Sequence, residues 1–214
     1  PDVSPEAMES EAPRAKGESR RPTRDRLQEA RSHTRALARL AQELQSCPTA
    51  EIALNLAVEA IHQELGLAFG AAWLVKPGGI LEHVATTGAE VGFWVADGPL
   101  PAEGPVAEAH ATEALADAAL DDAPTDCCLV AMGSENASRH VTAVPVLGRV
   151  ETVGVVAILG FGSVDARLTP ERREALELMG QIVSNAMLRI GDQQILMEAN
   201  ACSSAVTRVL EHTA

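Results

Sequence analysis

Apolar and polar positions change rhythm several times along this chain, and each change marks an element. In residues 23–46, Leu27, Ala30, Thr34, Leu37, Ala41 and Leu44 alternate steps of three and four, with Arg, Gln and Glu outside the stripe. That spacing predicts a heptad helix. Pro48 stops it. Thr49 caps a second helix that closes at Gly66, with Ala53, Leu56, Ala57, Ala60 and Ile61 on its apolar face. The period then falls to two. Phe69, Ala71, Trp73 and Val75 share one face of a strand, and Pro77-Gly78-Gly79 turns it into a hairpin. Residues 89–105 are rich in Gly and Pro and predict a loop. "VAEAHATEAL" predicts a short helix, and "ADAALDDAPTD" a short strand with an acidic loop. "CCLVAMGSEN" predicts another short helix, capped by Asp126. A second hairpin joins "HVTAVPVL" to "VETVGVVAILGFG" through a turn at Gly148-Arg149, and its second strand is apolar enough to be covered on both faces. Thr169-Pro170-Glu171 then opens a long helix with N-cap, proline and acid in their favoured places. Leu176, Met179, Val183, Ala186 and Ile190 form its stripe, which weakens beyond Gly191 at Gln193 and Asn200.

The order of elements argues for an α+β fold: a central antiparallel β-sheet with flanking helices and long N- and C-terminal heptad helices. Residues 1–22, rich in Pro, Glu, Ser and Arg, are expected to be a disordered tether. Residues 23–46 form an N-terminal signalling or dimer helix and 47–190 the central domain. Residues 191–214 form a C-terminal linker helix or the start of a further module. Helical stripes at both ends predict a homodimer through the terminal helices, unless both stripes pack only on their own sheet.

Composition narrows the function. Hydrophobic residues make up 46% of the 214 residues but aromatics only 2%, so the core must be aliphatic. Residues 1–46 carry a net charge of +1, residues 47–168 a net −12 and residues 169–214 a net −2. The acidic centre repels phosphate backbones and anionic lipid, which argues against nucleic-acid partners. No apolar run reaches the ~18 residues of a membrane span, so no membrane segment is expected here. No signal peptide opens the chain, and Pro1 in place of Met suggests a fragment or a trimmed product. Four cysteines, two of them adjacent, do not make a disulfide framework and suit a reducing, cytoplasmic setting.

Several strings, taken in order, resemble the GAF domain. They are "CPTAEIALNLAVEAI", "LGLAFGAAWLV", "DCC", "VTAVPVLGRVETVGVVAI" and "LTPERREALELMGQIVSNAMLRI". The resemblance spans about residues 30–190 and is closest to the subgroup found in methyl-accepting chemotaxis-type receptors and related bacterial signalling proteins. It implies a central antiparallel sheet with a ligand pocket on one side and terminal helices on the other. It also implies a non-enzymatic sensor that binds a small-molecule ligand and signals to a downstream domain. Similar domains often carry aromatics where this chain has Ala71, Ala72 and Leu159-Gly160-Phe161-Gly162, so a ligand-free dimerisation module is an alternative.

The chemistry-bearing residues are few. Cys127 and Cys128 are adjacent, which fits neither paired zinc spacing nor a redox C-x-x-C. They match neither the separated cysteines of the GAF-fold enzyme that reduces free methionine sulfoxide nor the Cys-His of bilin-attaching relatives. Packing or pocket lining is the expected role, with a thiol redox sensor as the alternative. His110 sits on the helix that borders the pocket in similar domains, some of which bind haem through such a histidine. A solvent-facing or hydrogen-bonding role suits it better in a chain this poor in aromatics. His83 and His140 belong on or beside strands, with no Ser or Asp partner in the pattern. Trp73, Phe93 and Trp94 are the pocket candidates, because aromatic rings give contact area at low entropic cost. The candidate ligand-binding set is therefore Trp73, Phe93, Trp94, His110, Cys127 and Cys128. No catalytic or metal-binding residue is expected, and the cofactor is left open.

Overall fold

The computed structural model describes residues 21–88, 93–95, 97–119, 129–131, 140–149, 153–163 and 168–213. The predicted tether, apart from Arg21 and Pro22, lies outside them. The first helix, α1, spans Arg21–Leu44 and so begins two residues before the expected start. Its second residue, Pro22, sits in the first turn, where a missing N–H costs nothing. The helix α2 follows at Ala50–Leu65. Thr49 caps it by accepting the Ile52 N–H at 3.4 Å, and Gly66 closes it in the left-handed region at φ 59°.

Strands β1 (Phe69–Lys76) and β2 (Ile80–Thr87) form the predicted hairpin, turning at Gly78 and Gly79 with φ of +84° and +72°. The short strands β3 (Phe93–Val95) and β4 (Gly98–Pro99) come next, then α3 (Pro105–Thr112) and β5 (Ala116–Ala119). They are followed by β6 (Leu129–Ala131), β7 (His140–Arg149), β8 (Val153–Ser163) and α4 (Pro170–Thr213). The main sheet has six strands in the order β4-β2-β1-β8-β7-β5, and every pairing is antiparallel. The fold class is thus α+β, as the pattern of elements predicts.

Three local expectations are corrected. Leu129–Ala131 is a strand rather than part of a short helix, and the expected loop contains β3. The two pair as a separate ribbon, Phe93 opposite Ala131 and Val95 opposite Leu129. Three-residue runs are too short to show a period, and their stabilising partner lies more than thirty residues away in the chain. The turn of the second hairpin lies later than Gly148-Arg149. Gly148 pairs with Gly154 and Arg149 with Val153, so β7 runs through both.

Strand alternation divides the core in two. One face of the sheet packs against α1, α2 and α4 through Val58, Ile61, Val144, Leu159, Leu176 and Val183, all buried. The other face holds Phe69, Ala71, Trp73, Leu81, Val141 and Ile158, with Val106 and Ala109 of α3 over it. As expected, β8 is covered on both faces: Ala157 and Leu159 turn to the helices, and Ile158 turns away.

The helical stripes are also revised. On α4 the predicted stripe Leu176, Met179, Val183, Ala186 and Ile190 is entirely buried in its own domain. On α1 the buried face is His33, Ala36, Leu40 and Leu44, whereas Thr34, Leu37 and Ala41 of the predicted seam stay partly or fully exposed. On α2 the buried set turns toward Leu54, Val58 and Leu65, leaving Leu56 and Ala60 half-buried beside α1. A helix wedged between a sheet and another helix buries a wider stripe than a two-strand seam does, so a heptad reading recovers only one edge of it.

Helix α4 approaches β7 through Gly180, where a Cβ would lie 2.6 Å from Cγ1 of Val144. Gly180→Val should therefore destabilise the domain by about 1–3 kcal/mol through overpacking. The expected result is a lower urea midpoint at unchanged slope, and an unchanged midpoint would contradict this close approach.

Candidate functional site

Trp73 sits in mid-strand on β1, and alternation with Ala71 and Val75 directs it to the face away from the terminal helices. It is fully buried (0% exposed). A β-bulge between Ala72 and Trp73 shifts the register so that Trp73 faces His83 of β2. The two rings meet edge to face, with centroids 6.4 Å apart and planes at 65°.

His83 is itself held. Its Nε2 lies 2.9 Å from the Ala85 carbonyl and 2.6 Å from Thr86 Oγ1. A carbonyl can only accept, so Nε2 carries the proton and donates. The His83 backbone N–H donates to Asp97 Oδ1 at 2.6 Å, tying the segment before β4 to β2.

The indole Nε1 of Trp73 is buried with no hydrogen-bond partner among the described residues. An unmet buried donor costs about 1–3 kcal/mol, and such groups are rare in native proteins. The apolar side chains around it are Phe, Leu, Val, Ile and Ala, with Ala71, Ala109, Ala116 and Ala143 providing small contact surfaces. The polar side chain described beside it is His83.

The other candidates are placed less closely together. His110 is on α3, half-buried, one residue after the buried Ala109 that covers the cluster. Phe93 and Trp94 lie on β3, in the two-stranded ribbon rather than in the sheet that carries Trp73. Cys127 and Cys128 lie outside the described residues, as does Asp126. Of the remaining cysteines, Cys47 is buried on the helix side and Cys202 is exposed on α4.

Sequence reasoning missed a polar cluster on the helix side. Asp117 on β5 lies 3.7 Å from His140 Nδ1, measured at Oδ2, and accepts a hydrogen bond from Arg173 in the first turn of α4. It fastens the start of α4 to the edge of the sheet. Asp117, His140 and Arg173 come from three elements, and no local pattern joins them.

A second node sits where α4 leaves the domain. Arg189 Nη2 donates to the carbonyls of Leu44 and Cys47 at 2.8 and 3.3 Å, at and just past the end of α1, where the Leu44 carbonyl also accepts the Cys47 N–H. Three residues on, Asp192 pairs with Arg149 at 3.4 Å. A Cβ on Gly191 would lie only 2.7 Å from the Arg149 carbonyl oxygen. One turn of α4 thus touches α1 and the end of the β7–β8 hairpin.

The described concavities all lie on the helix side or at its edges. The largest, about 410 Å³, runs between α4 and β7 beside Leu115, Pro145, Leu147 and Ser184. Two more, of about 270 and 210 Å³, lie end to end between α1 and α4. None of these is lined by a candidate residue. Among the described residues no group of three or more His, Cys, Asp or Glu could hold a metal, and no helix is long and apolar enough to cross a membrane.

Burial raises the pKa of the Cys47 thiol, with nearby Glu43 adding to the effect and Arg189 opposing it. Less thiolate at neutral pH means slower alkylation. Cys202 should react with iodoacetamide promptly at pH 7.5, and Cys47 only after denaturation. Peptide mapping by mass spectrometry reads both, and fast labelling of Cys47 in the folded chain would contradict its burial.

Comparison with known proteins agrees with this architecture. A family model described as "GAF domain" matches residues 47–187. No curated protein sequence matches the chain. Among solved structures, free methionine-R-sulfoxide reductase from Neisseria meningitidis superposes with a TM-score of 0.61 at 15% identity, covering 77% of this chain and 93% of that one. The GAF domain of a phosphoenolpyruvate-protein phosphotransferase from Coxiella burnetii gives 0.56 at 16% identity, covering 82% and 98%. Residues 122 to 287 of a methyl-accepting chemotaxis protein give 0.54 at 17% identity, covering 71% and 96%. With a family match over well more than half its length and a sheet that divides helices from a buried aromatic face, this chain belongs to the GAF domain family.

Proposed function

We propose that this chain is the regulatory sensor module of a bacterial signal-transduction protein. A small molecule binds on the Trp73 face of the sheet and biases the arrangement of α1 and α4. Those helices pair in a homodimer and pass the change to a downstream domain in the cytoplasm. The chemotaxis-receptor subgroup is part of this reading and is supported by the order of its sequence strings. The chain acts without catalysis of its own.

The observation that carries the proposal is the division of labour across the sheet. One face buries an aromatic donor without a partner among the described residues, and the other seats the helices that lead out of the domain. Strand β8 touches both, so a change on one face has a short mechanical path to the other. A ligand produces that change only by binding one arrangement more tightly than another. Arg189 supports the route, because it ties the end of α1 to α4 at the exit point.

Two surfaces favour a second copy. Helices α1 and α4 run parallel, with Leu37, Ala41, Leu178 and Ile182 along the outer grooves between them. Beyond Gly191, α4 continues for twenty-two residues, about 33 Å at 1.5 Å per residue. Ile195, Leu196 and Met197 are 46%, 63% and 71% exposed there. Ile195, Ala199 and Cys202 step by four and three, and the sequence continues that step to Val206 and Val209.

The ligand-free dimerisation reading has one observation in its favour: none of the described cavities is lined by Trp73 or its cluster. Native mass spectrometry of the purified chain separates the two. A dimer with added small-molecule mass, lost in a variant of the Trp73 face, supports the sensor. A bare dimer, with no thermal shift across a metabolite library, supports the structural module. Trp73→Ala is a poor probe, since emptying a fully buried site of that size costs about 3–5 kcal/mol, so Trp73→Phe is preferred.

The dimer makes its own prediction. Leu37→Glu combined with Ile182→Glu should give monomers by light scattering while leaving the circular dichroism spectrum intact. A dimer that survives both charges would remove these grooves from the interface. A dimer in register should also form a Cys202–Cys202 crosslink under mild oxidation.

A further inference from the structure

We propose that the ligand of the Trp73 face is a neutral, largely apolar molecule bearing a carbonyl-type oxygen, and that this oxygen accepts the Trp73 Nε1–H. The inference rests on the sensor reading and specifies its chemistry. It follows from three features of the buried cluster.

The first is the orphan itself. Indole N–H is a donor only, so its missing partner must be an acceptor. The second is the scarcity of charge. The cluster's apolar side chains include Phe69, Ala71, Leu81, Val141 and Ile158, and the ionisable side chain described against the indole is His83, whose Nε2 is already held by Ala85 and Thr86. A charged ligand there would lose hydration without gaining a counter-ion. The cations described nearby are already engaged: Lys76 pairs with Glu82, and Arg173 with Asp117 on the opposite side of the sheet. The third is that water is a poor occupant. A buried water needs two to four polar partners, and the polar side chains described here are the indole and His83, whose Nε2 is already engaged. An apolar body with a single acceptor matches both the walls and the donor. The edge-on contact with His83, which is itself held by Ala85 and Thr86, fixes the indole in place to make that bond.

The test uses an isosteric pair, cyclopentanone and cyclopentane, titrated into the full chain labelled with 15N at tryptophan and 13C at methyl groups. The chain has two tryptophans, and Trp73→Phe assigns the indole signal of Trp73 by removing it. The expected result is that both probes perturb the methyls of Ala71, Ala143 and Ile158. Only the ketone should move the Trp73 indole proton downfield. Trp73→Phe, which keeps a ring and deletes the donor, should weaken ketone binding at least tenfold, leave cyclopentane binding within about twofold, and keep the melting temperature unchanged or higher. If both probes reach the methyls but the ketone leaves the indole proton in place, or binds Trp73→Phe equally well, the donor assignment fails while the pocket stands. A strong exchange cross-peak between the Trp73 indole and bulk water in the free protein would assign the donor to a water molecule and overturn the proposal. If neither probe perturbs any of these groups, the sensor reading of this face fails with it.

Discussion

Strand β8 is the constraint on which the rest depends. It lies third from the β5 edge and fourth from the β4 edge of the six-stranded sheet, hydrogen-bonded to β1 and β7. Its side chains must therefore leave the sheet on both sides. On one side they meet α2 and α4, and on the other they meet the face that holds Trp73. A polar residue at Ile158 or Leu159 would be buried without a partner, so the strand has to be apolar throughout. The same requirement leaves no layer of water between the two cores.

Small residues set the distances. Gly180 lets α4 lie against Val144, and Gly191 lets it pass the Arg149 backbone. At Gly70, a Cβ would meet Val58 and Phe161 at about 3 Å, so α2 also sits close to the sheet. With so few aromatics, the core gains its burial from many close aliphatic contacts. Trp73, Phe69 and Phe161 are the buried aromatics among the described residues, and the unmet donor of Trp73 is costly to keep.

The polar contacts are concentrated at the ends of α4. Arg173 with Asp117 fixes where the helix begins on the sheet, and Arg189 fixes its relation to α1 just before it leaves. Between them the contact is apolar, apart from Ser184, which receives the Leu147 N–H where β7 shifts register. Beyond β5's last pairing, at Ala143, β7 has no further outer neighbour among the described strands, and Pro145 sits in that stretch. A proline there withholds a donor from any stray strand.

The sequence by itself determined the element types with long periods. The two hairpins, the caps at Thr49 and Thr169, the Gly66 stop and the doubly covered strand were legible, because each is a local preference repeated over many residues. It also put Trp73 on one face with Phe69, Ala71 and Val75, since a strand's period of two leaves those neighbours nowhere else. The tertiary structure decided what no window of sequence contains. It turned the expected α4 seam into core, brought Phe93–Val95 and Leu129–Ala131 together as a ribbon, and assembled Asp117, His140 and Arg173 from three elements. It alone showed that the Trp73 indole has no partner among the described residues, because satisfaction of a buried donor depends on everything around it and not on its place in the chain.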